Sequence, residues 1–325
     1  MAIVPQFRKA TRVQCKLSCA IEGLSGSGKS GLALAIARTF ADWDKIYAVD
    51  TENKSLDLFV ENILHTGERI PKGALNVADL LPEDGYRPSH YEALRNAALA
   101  AHGEVIIFDS LSHLWQYKGG ILDMVNQKQA EAGRNYNKYT AWGDPEIVAE
   151  KNAIMSLVRH ANIHTICTIR AKEKMEIVPG EDGKNVVQSL GEQQIMMPDF
   201  KYEPDLVLHM LAPGEYCEDG KTAKAPKVRV VKSRYRIMRR DEEYDVTPEL
   251  LHQLRQYLEE GTSPEELLEM QRKDYIEGVK TYLDEHPNAR VIWQVLKEDA
   301  GLKDVKLSDM QLKDLKLLFN QVATE

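Results

Sequence analysis

The stretch GLSGSGKS, Gly23 to Ser30, constrains this chain more than any other. It fits the pattern G-x-x-x-x-G-K-[ST] in full, and that pattern serves one local architecture. A strand delivers the chain into a glycine-rich turn, and a helix leaves it. The glycines let backbone N–H groups wrap a phosphate, the lysine reaches the β and γ phosphates, and the final hydroxyl ligates Mg²⁺. The positive end of the helix dipole adds to the hold. Gly23, Ser25, Gly26, Ser27, Gly28, Lys29, Ser30 and Gly31 are the expected nucleotide-binding set, with Ser30 also on the metal. The flanks agree: VQCKLSCAIE (13–22) has strand character, and KSGLALAIARTF (29–40) has helical periodicity.

Further along, the same alternation continues. KIYAVD (45–50), EVIIFDS (104–110) and HTICTIR (164–170) read as short buried strands. Helices are expected around 88–101 and from the Asp144-Pro145-Glu146 start to about Asn162. Strands alternating with helices predict an α/β fold, a mostly parallel sheet flanked by helices. The pattern then changes. Residues 172–188 suggest a charged hairpin around PGEDGKN, and DLVLHML (205–211) and KVRVVK (227–232) two more strands. From Thr247 the chain turns helical, with a capping box at Ser263 and Glu266. We expect a core over 1–245 and a small helical C-terminal domain or extension over 246–325.

Bulk properties narrow the classes. Formal net charge is -8, which argues against a surface that binds nucleic acid throughout, though one local basic channel is compatible with it. The four cysteines show no CxxC spacing and suit reduced core thiols. No signal-peptide pattern and no apolar window of membrane-spanning length occur, so a cytoplasmic protein without membrane contact is expected.

Three side chains outside the loop suit phosphate chemistry. Asp109 ends an apolar strand, where a carboxylate can hold a metal directly or through water, and Ser110 follows it. Glu52 follows the strand ending at Asp50 and is the candidate to orient a water; a polar loop would use the same residue. Arg170 ends the fourth strand, where it could sense the γ-phosphate or simply face solvent. The basic stretch KVRVVKSRYRIMRR (227–240) fits a solvated edge strand, a nucleic-acid patch or part of a catalytic site.

Taken together these pieces resemble the RecA-like P-loop NTPase core. The phage RecA-like AAA-type ATPases of the single-strand annealing and recombination family are the nearer likeness. It rests on ATRVQCKLSCAIEGLSGSGKS, VDTENKSLDLF, TIRAKEK before a charged hairpin, FKYEPDLVLHM and VKSR, over residues 7 to 240. The resemblance implies an ATP- and Mg²⁺-dependent, DNA-stimulated ATPase, a phage protein in the host cytoplasm. It implies homo-oligomers with ATP at subunit interfaces, single-stranded DNA on core loops, and a single-strand DNA-binding protein as a further partner. It gives Glu52 the catalytic role and Arg170 the sensor role. It aligns VVKSR with a V-V-K-x-[KR] setting, giving Lys232 and Arg234 the role of cations reaching a neighbour's γ-phosphate. The DNA-lining loops would be 118–142 and 171–199, carrying Lys128, Arg134, Tyr136, Lys138, Lys172 and Lys174. One departure is that only about 12 residues precede the first strand, short for the oligomerisation segment of long recombinases. Two other functions suit the same loop: a P-loop kinase for a small metabolite, and an ATP-switched loading or assembly factor gripping a partner through its C-terminal helices.

Overall fold

A computed structural model describes residues 9–132, 138–159, 162–179, 185–211 and 223–322. Strands are β1 (Ser18–Gly23), β2 (Ile46–Asp50), β3 (Asn76–Asp79), β4 (Val105–Asp109), β5 (His164–Pro179), β6 (Asn185–Gln194), β7 (Leu206–Met210), β8 (Lys227–Ser233) and β9 (Glu243–Asp245). Helices are α1 (Lys29–Phe40), α2 (Pro88–Ala100), α3 (Ser112–Gln116), α4 (Ile121–Ala132), α5 (Lys138–Ala141), α6 (Pro145–Val158), α7 (Pro248–Glu259), α8 (Pro264–Glu285), α9 (Pro287–Asp299) and α10 (Leu312–Val322).

The sheet runs β3-β2-β4-β5-β1-β7-β8-β9, with β6 paired to β5. From β3 to β7 every neighbouring pair is parallel, and the pairings of β7 with β8 and β8 with β9 are antiparallel. Crossovers put helices on both faces, and the strand sequences show why. All five residues of β4 are buried; Val105 and Ile107 join one apolar cluster, Ile106 and Phe108 the other. α1 packs Leu32, Leu34 and Ile36 into the first cluster, and α6 packs Ile147, Ile154 and Leu157 into the second. The mostly parallel, helix-flanked sheet expected from the alternation is therefore the one observed.

Some boundaries differ from expectation. β1 begins at Ser18 rather than near Val13; Leu17 N–H donates to His164 Nδ1 and Val13 bridges to Thr262 instead. β5 does not stop at Arg170. It leaves the parallel sheet there and continues to Pro179 as one arm of an antiparallel hairpin with β6, whose turn lies outside the described residues. β3, β9 and the short helices α3 and α5 carried too little periodicity to be expected, and the 12-residue α4 occupies a segment that was expected as a loop.

By contacts the chain divides into two compact units, Lys16–Leu258 and a second made of Met1–Cys15 with Glu259–Glu325. α7 belongs to the first: Leu251, Leu254 and Leu258 line its core. In the second unit, Gln14 N–H donates to the Thr262 carbonyl and Arg12 pairs with Glu260 at 2.7 Å. Ser263 and Glu266 form the reciprocal cap that starts α8, and Val279, Trp293, Leu315, Leu318 and Phe319 make a separate core. Among the described residues no helix is long and apolar enough to cross a membrane.

Candidate nucleotide site

Parallel strands bring their carboxyl ends to one edge, where ligands of open α/β sheets bind. Register fixes the neighbours in that row: Gly23 is opposite Arg170, and Asp50 is opposite Asp109. Residues far apart in sequence thus meet around the glycine-rich loop.

The loop itself spans Leu24 to Gly28 between β1 and α1. Gly26 (φ 77°) and Gly28 (φ 89°) occupy the left-handed region that glycine tolerates without strain. At Gly23 a Cβ would lie 2.9 Å from Met210 Cβ and 3.0 Å from Ser27 Oγ, so the ends of β1 and β7 approach too closely for a larger residue. Lys29 Nζ donates to the carbonyls of Gly23 (3.0 Å) and Leu24 (2.6 Å). Burial lowers the affinity of the Lys29 amine for its proton, while the Asp109 and Glu52 carboxylates work against that.

Asp109 is only 2% exposed. Thr168 Oγ1 donates to its Oδ1, and its Oδ2 is buried with no hydrogen-bond partner. Burial pushes the carboxyl upward, against the hydrogen bond from Thr168 and the nearby Ser30 hydroxyl. An unsatisfied carboxylate oxygen this deep is costly. A hard divalent cation would satisfy it, and Ser30 beside it supplies a second oxygen. Mg²⁺ sites of this kind use one or two protein oxygens and take the rest from phosphates and water. Accordingly, among the described residues no group of three or more His, Cys, Asp or Glu could hold a metal unaided. The residues fit Mg²⁺ bound together with a nucleotide.

After β2 the buried Asp50 carboxylate organises the turn. Its Oδ1 accepts from Glu52 N–H (2.7 Å) and its Oδ2 from Leu56 N–H (2.8 Å). Asn53 and Lys54, both at positive φ, complete the bend, and Glu52 is turned toward β4 and β5. There its carboxylate meets three donors. Ser110 Oγ donates at 3.1 Å, Arg170 Nε at 2.6 Å to the same oxygen, and Arg170 Nη2 to the other. Burial raises the Glu52 carboxyl, but hydrogen bonding and charge from Arg170 outweigh it and leave the group below its ordinary value.

Arg170 is held from behind. Its Nη1 donates to Tyr117 Oη (2.8 Å), and its backbone N–H donates to Ser112 Oγ (2.8 Å). His113 lies between Tyr86 and Tyr117 (centroids 4.8 and 4.4 Å), with Nδ1 2.8 Å from Thr51 Oγ1. Burial and then the Arg170 charge push His113 down to about 4, so it is neutral at pH 7. Sequence reasoning did not single out Asp50, Thr51, His113, Tyr117 or Thr168 as site residues; the sheet register and α3, which follows β4, bring them together.

Two cavities flank this constellation. One of about 590 Å³ opens beside the loop, between Gly28 to Gly31, Phe59, Ile63 to His65 and Ala223 to Lys227. Gly31 leaves room for the Phe59 ring, 3.2 Å from where a Cβ would sit. The other, about 240 Å³, lies on Thr51, Glu52, Leu81, Tyr86 and Arg170.

The remaining candidates lie elsewhere. β8 runs antiparallel to β7, so Lys232 pairs with Val207 while Val228 pairs with Met210. Lys232 is therefore on the order of 10 Å down β7 from the row of carboxyl ends, at three residues of strand rise. There its Nζ donates to the carbonyls of Tyr202 and Pro204, both at 2.5 Å, and Arg234 pairs with Asp205 at 2.8 Å. Lys128 is engaged by Asp144 (3.4 Å) and Glu146 (3.1 Å). Lys172 and Lys174 are exposed on the hairpin arm of β5. Arg134, Tyr136 and the Lys138 side chain lie outside the described residues.

No family model matches the chain, and no curated protein sequence matches it. Among solved structures it is similar to the RadB recombinase, at 15% identity over 69% of this chain and 84% of that one, with a TM-score of 0.40.

Proposed function

We propose that this chain is a Mg²⁺-dependent ATPase of the RecA-like recombinase kind, of phage type, acting in DNA recombination or single-strand annealing. The observation that carries the reading is the convergence of Lys29, Ser30, Asp109 and Glu52 at one sheet edge, with a buried Asp109 oxygen left unpaired. Backbone N–H groups of residues 24–29 take the phosphates, and Lys29 exchanges its loop carbonyls for the β and γ oxygens. Ser30 and Asp109 hold Mg²⁺, which when bound neutralises charge on the phosphates. The 590 Å³ cavity takes the base and ribose, its apolar walls giving the ring a dry face. Glu52 orients the attacking water.

Lys232 and Arg234 act on a neighbouring subunit's γ-phosphate, as an arginine finger does. The antiparallel course of β8 favours this, because it carries both away from their own loop. ATP then sits between subunits of a homo-oligomer. Single-stranded DNA runs along Lys172, Lys174 and the segment 118–142, where Lys128 on α4 exchanges carboxylates for phosphates; a single-strand DNA-binding protein is a natural partner.

The test is ATP turnover with and without Mg²⁺ and single-stranded DNA. Turnover should require the metal and rise with DNA. Equal turnover with and without DNA, together with no DNA binding at low salt, removes the DNA half of the reading. A second reading, an ATP-switched loading factor, draws on Glu259–Glu325, which with Met1–Cys15 makes up a separate compact unit. Deleting that C-terminal stretch from a loader abolishes partner capture and spares DNA-independent hydrolysis.

A further inference from the structure

We propose that Arg170 is a latch on Glu52, and that the nucleotide's γ-phosphate opens it by taking the guanidinium away. This rests on the ATPase reading and adds to it how the site distinguishes ATP from ADP. Arg170 meets Glu52 through Nε and Nη2, a bidentate grip on both carboxylate oxygens, and Ser110 donates to one of them as well. Such a fork on a carboxylate is strong and geometrically specific. A carboxylate so occupied is a poor acceptor for a water proton, since its lone pairs are already committed and the guanidinium stabilises its charge. In the observed arrangement Glu52 is therefore held back from the role its position suits.

The same guanidinium stands next to the phosphate loop. Arg170 is the register partner of Gly23, the loop's first residue, and its charge is felt at Lys29. Its backbone is pinned by Ser112, and Tyr117 takes only Nη1, so the side chain turns about a fixed root. A γ-phosphate offers a pair of oxygens that the planar guanidinium can grip in the same bidentate way, with higher charge. When the guanidinium moves to it, Glu52 keeps Ser110 and regains free lone pairs beside the 240 Å³ cavity, room enough for several waters. ADP places no oxygen at the γ position, so with ADP the latch stays closed. One side chain thus detects the third phosphate and frees the base in a single exchange.

Equilibrium binding tests this without any reference to turnover. In the full-length chain, affinities for MgADP and for Mg²⁺ with the nonhydrolysable imido analogue of ATP are measured for wild type, Glu52→Ala, Arg170→Ala and the double variant. Glu52→Gln stands in should Glu52→Ala fold poorly. Removing Glu52 removes the competitor for the guanidinium, so affinity for the analogue should rise relative to ADP. A charged hydrogen-bonded contact sets the scale at roughly tenfold or more. In the Arg170→Ala background the same Glu52 change should leave the ratio unaltered. An unchanged ratio in Glu52→Ala overturns the latch. So does a full-size rise that persists without Arg170, because that assigns the effect to charge repulsion between Glu52 and the phosphate. Wild type that binds neither nucleotide refutes the ATPase reading itself, a separate outcome.

Discussion

At the level of single residues, Asp109 and His164 show how burial turns a polar group into a commitment. Asp109 keeps one carboxylate oxygen buried and unpaired, which the proposed Mg²⁺ with nucleotide would satisfy. Asp109→Asn should remove the Mg²⁺-dependent part of nucleotide affinity and leave the metal-independent part, as titration calorimetry with and without EDTA would show. His164 is the opposite case. Its Nδ1 accepts from Leu17 N–H at 2.9 Å and its ring stacks on Phe40, so the folded protein needs it neutral. Burial first, then the charges of Lys16 and Arg255, push it down from an ordinary 6.5 to about 3. The unfolded chain takes up the proton below 6.5 and the folded one does not until about 3, so this stabilisation is complete above pH 6.5 and is lost as pH falls toward 3. The slope from this group is up to about 1.4 kcal/mol per pH unit. His164→Asn, which keeps an acceptor, should flatten that part of the acid limb in denaturant titrations at pH 7, 6 and 5. The phosphate loop was legible because eight consecutive residues carry it. The Glu52–Arg170 pair was not, because its members stand 118 residues apart and only register unites them.

Among elements, α7 and β5 are instructive. The helical run from Thr247 invites a boundary near residue 245, yet α7 sets Leu251, Leu254 and Leu258 into the core beneath the sheet. Composition cannot tell a helix that closes one domain from one that opens the next; both are amphipathic. A chain ending at Leu258 should therefore unfold at nearly the same denaturant concentration as the core of the full chain. One ending at Asp245 should lose most of its stability. Leu254→Ala alone should cost about 2–5 kcal/mol by the usual cavity cost of buried leucine, read as a lower midpoint in guanidinium. β5 was expected to end where its apolar residues end, at Arg170. It runs without a break into the charged hairpin expected over 172–188, because β6 pairs with its polar continuation. The strongly patterned strands β1, β2, β4, β7 and β8 were all visible in advance, whereas β3, with only four residues, had no periodicity to show.

For the whole molecule, the antiparallel turn of β8 decides what the basic stretch can do. The segment 227–240 is divided by position. Lys232 and Arg234 rest on the carbonyls of Tyr202 and Pro204 and on Asp205, while Arg239 and Arg240 pair with Glu242 and Asp241 nearby. Lys232→Ala or Arg234→Ala should lower turnover by a factor of about a thousand or more, the scale of an arginine finger, with nucleotide affinity nearly unchanged. Mixing either variant with Glu52→Ala protein should restore part of the activity, because some junctions then join an intact base to intact cations. A molecule whose catalytic cations lie away from its own phosphate loop has a head and a tail. In any unclosed row of such molecules the last phosphate loop receives no cations, and the cations at the far extremity act on nothing. Turnover per molecule must then climb with row length toward a plateau, and a small admixture of chains able to accept but not to donate would shorten the productive rows far beyond their own number.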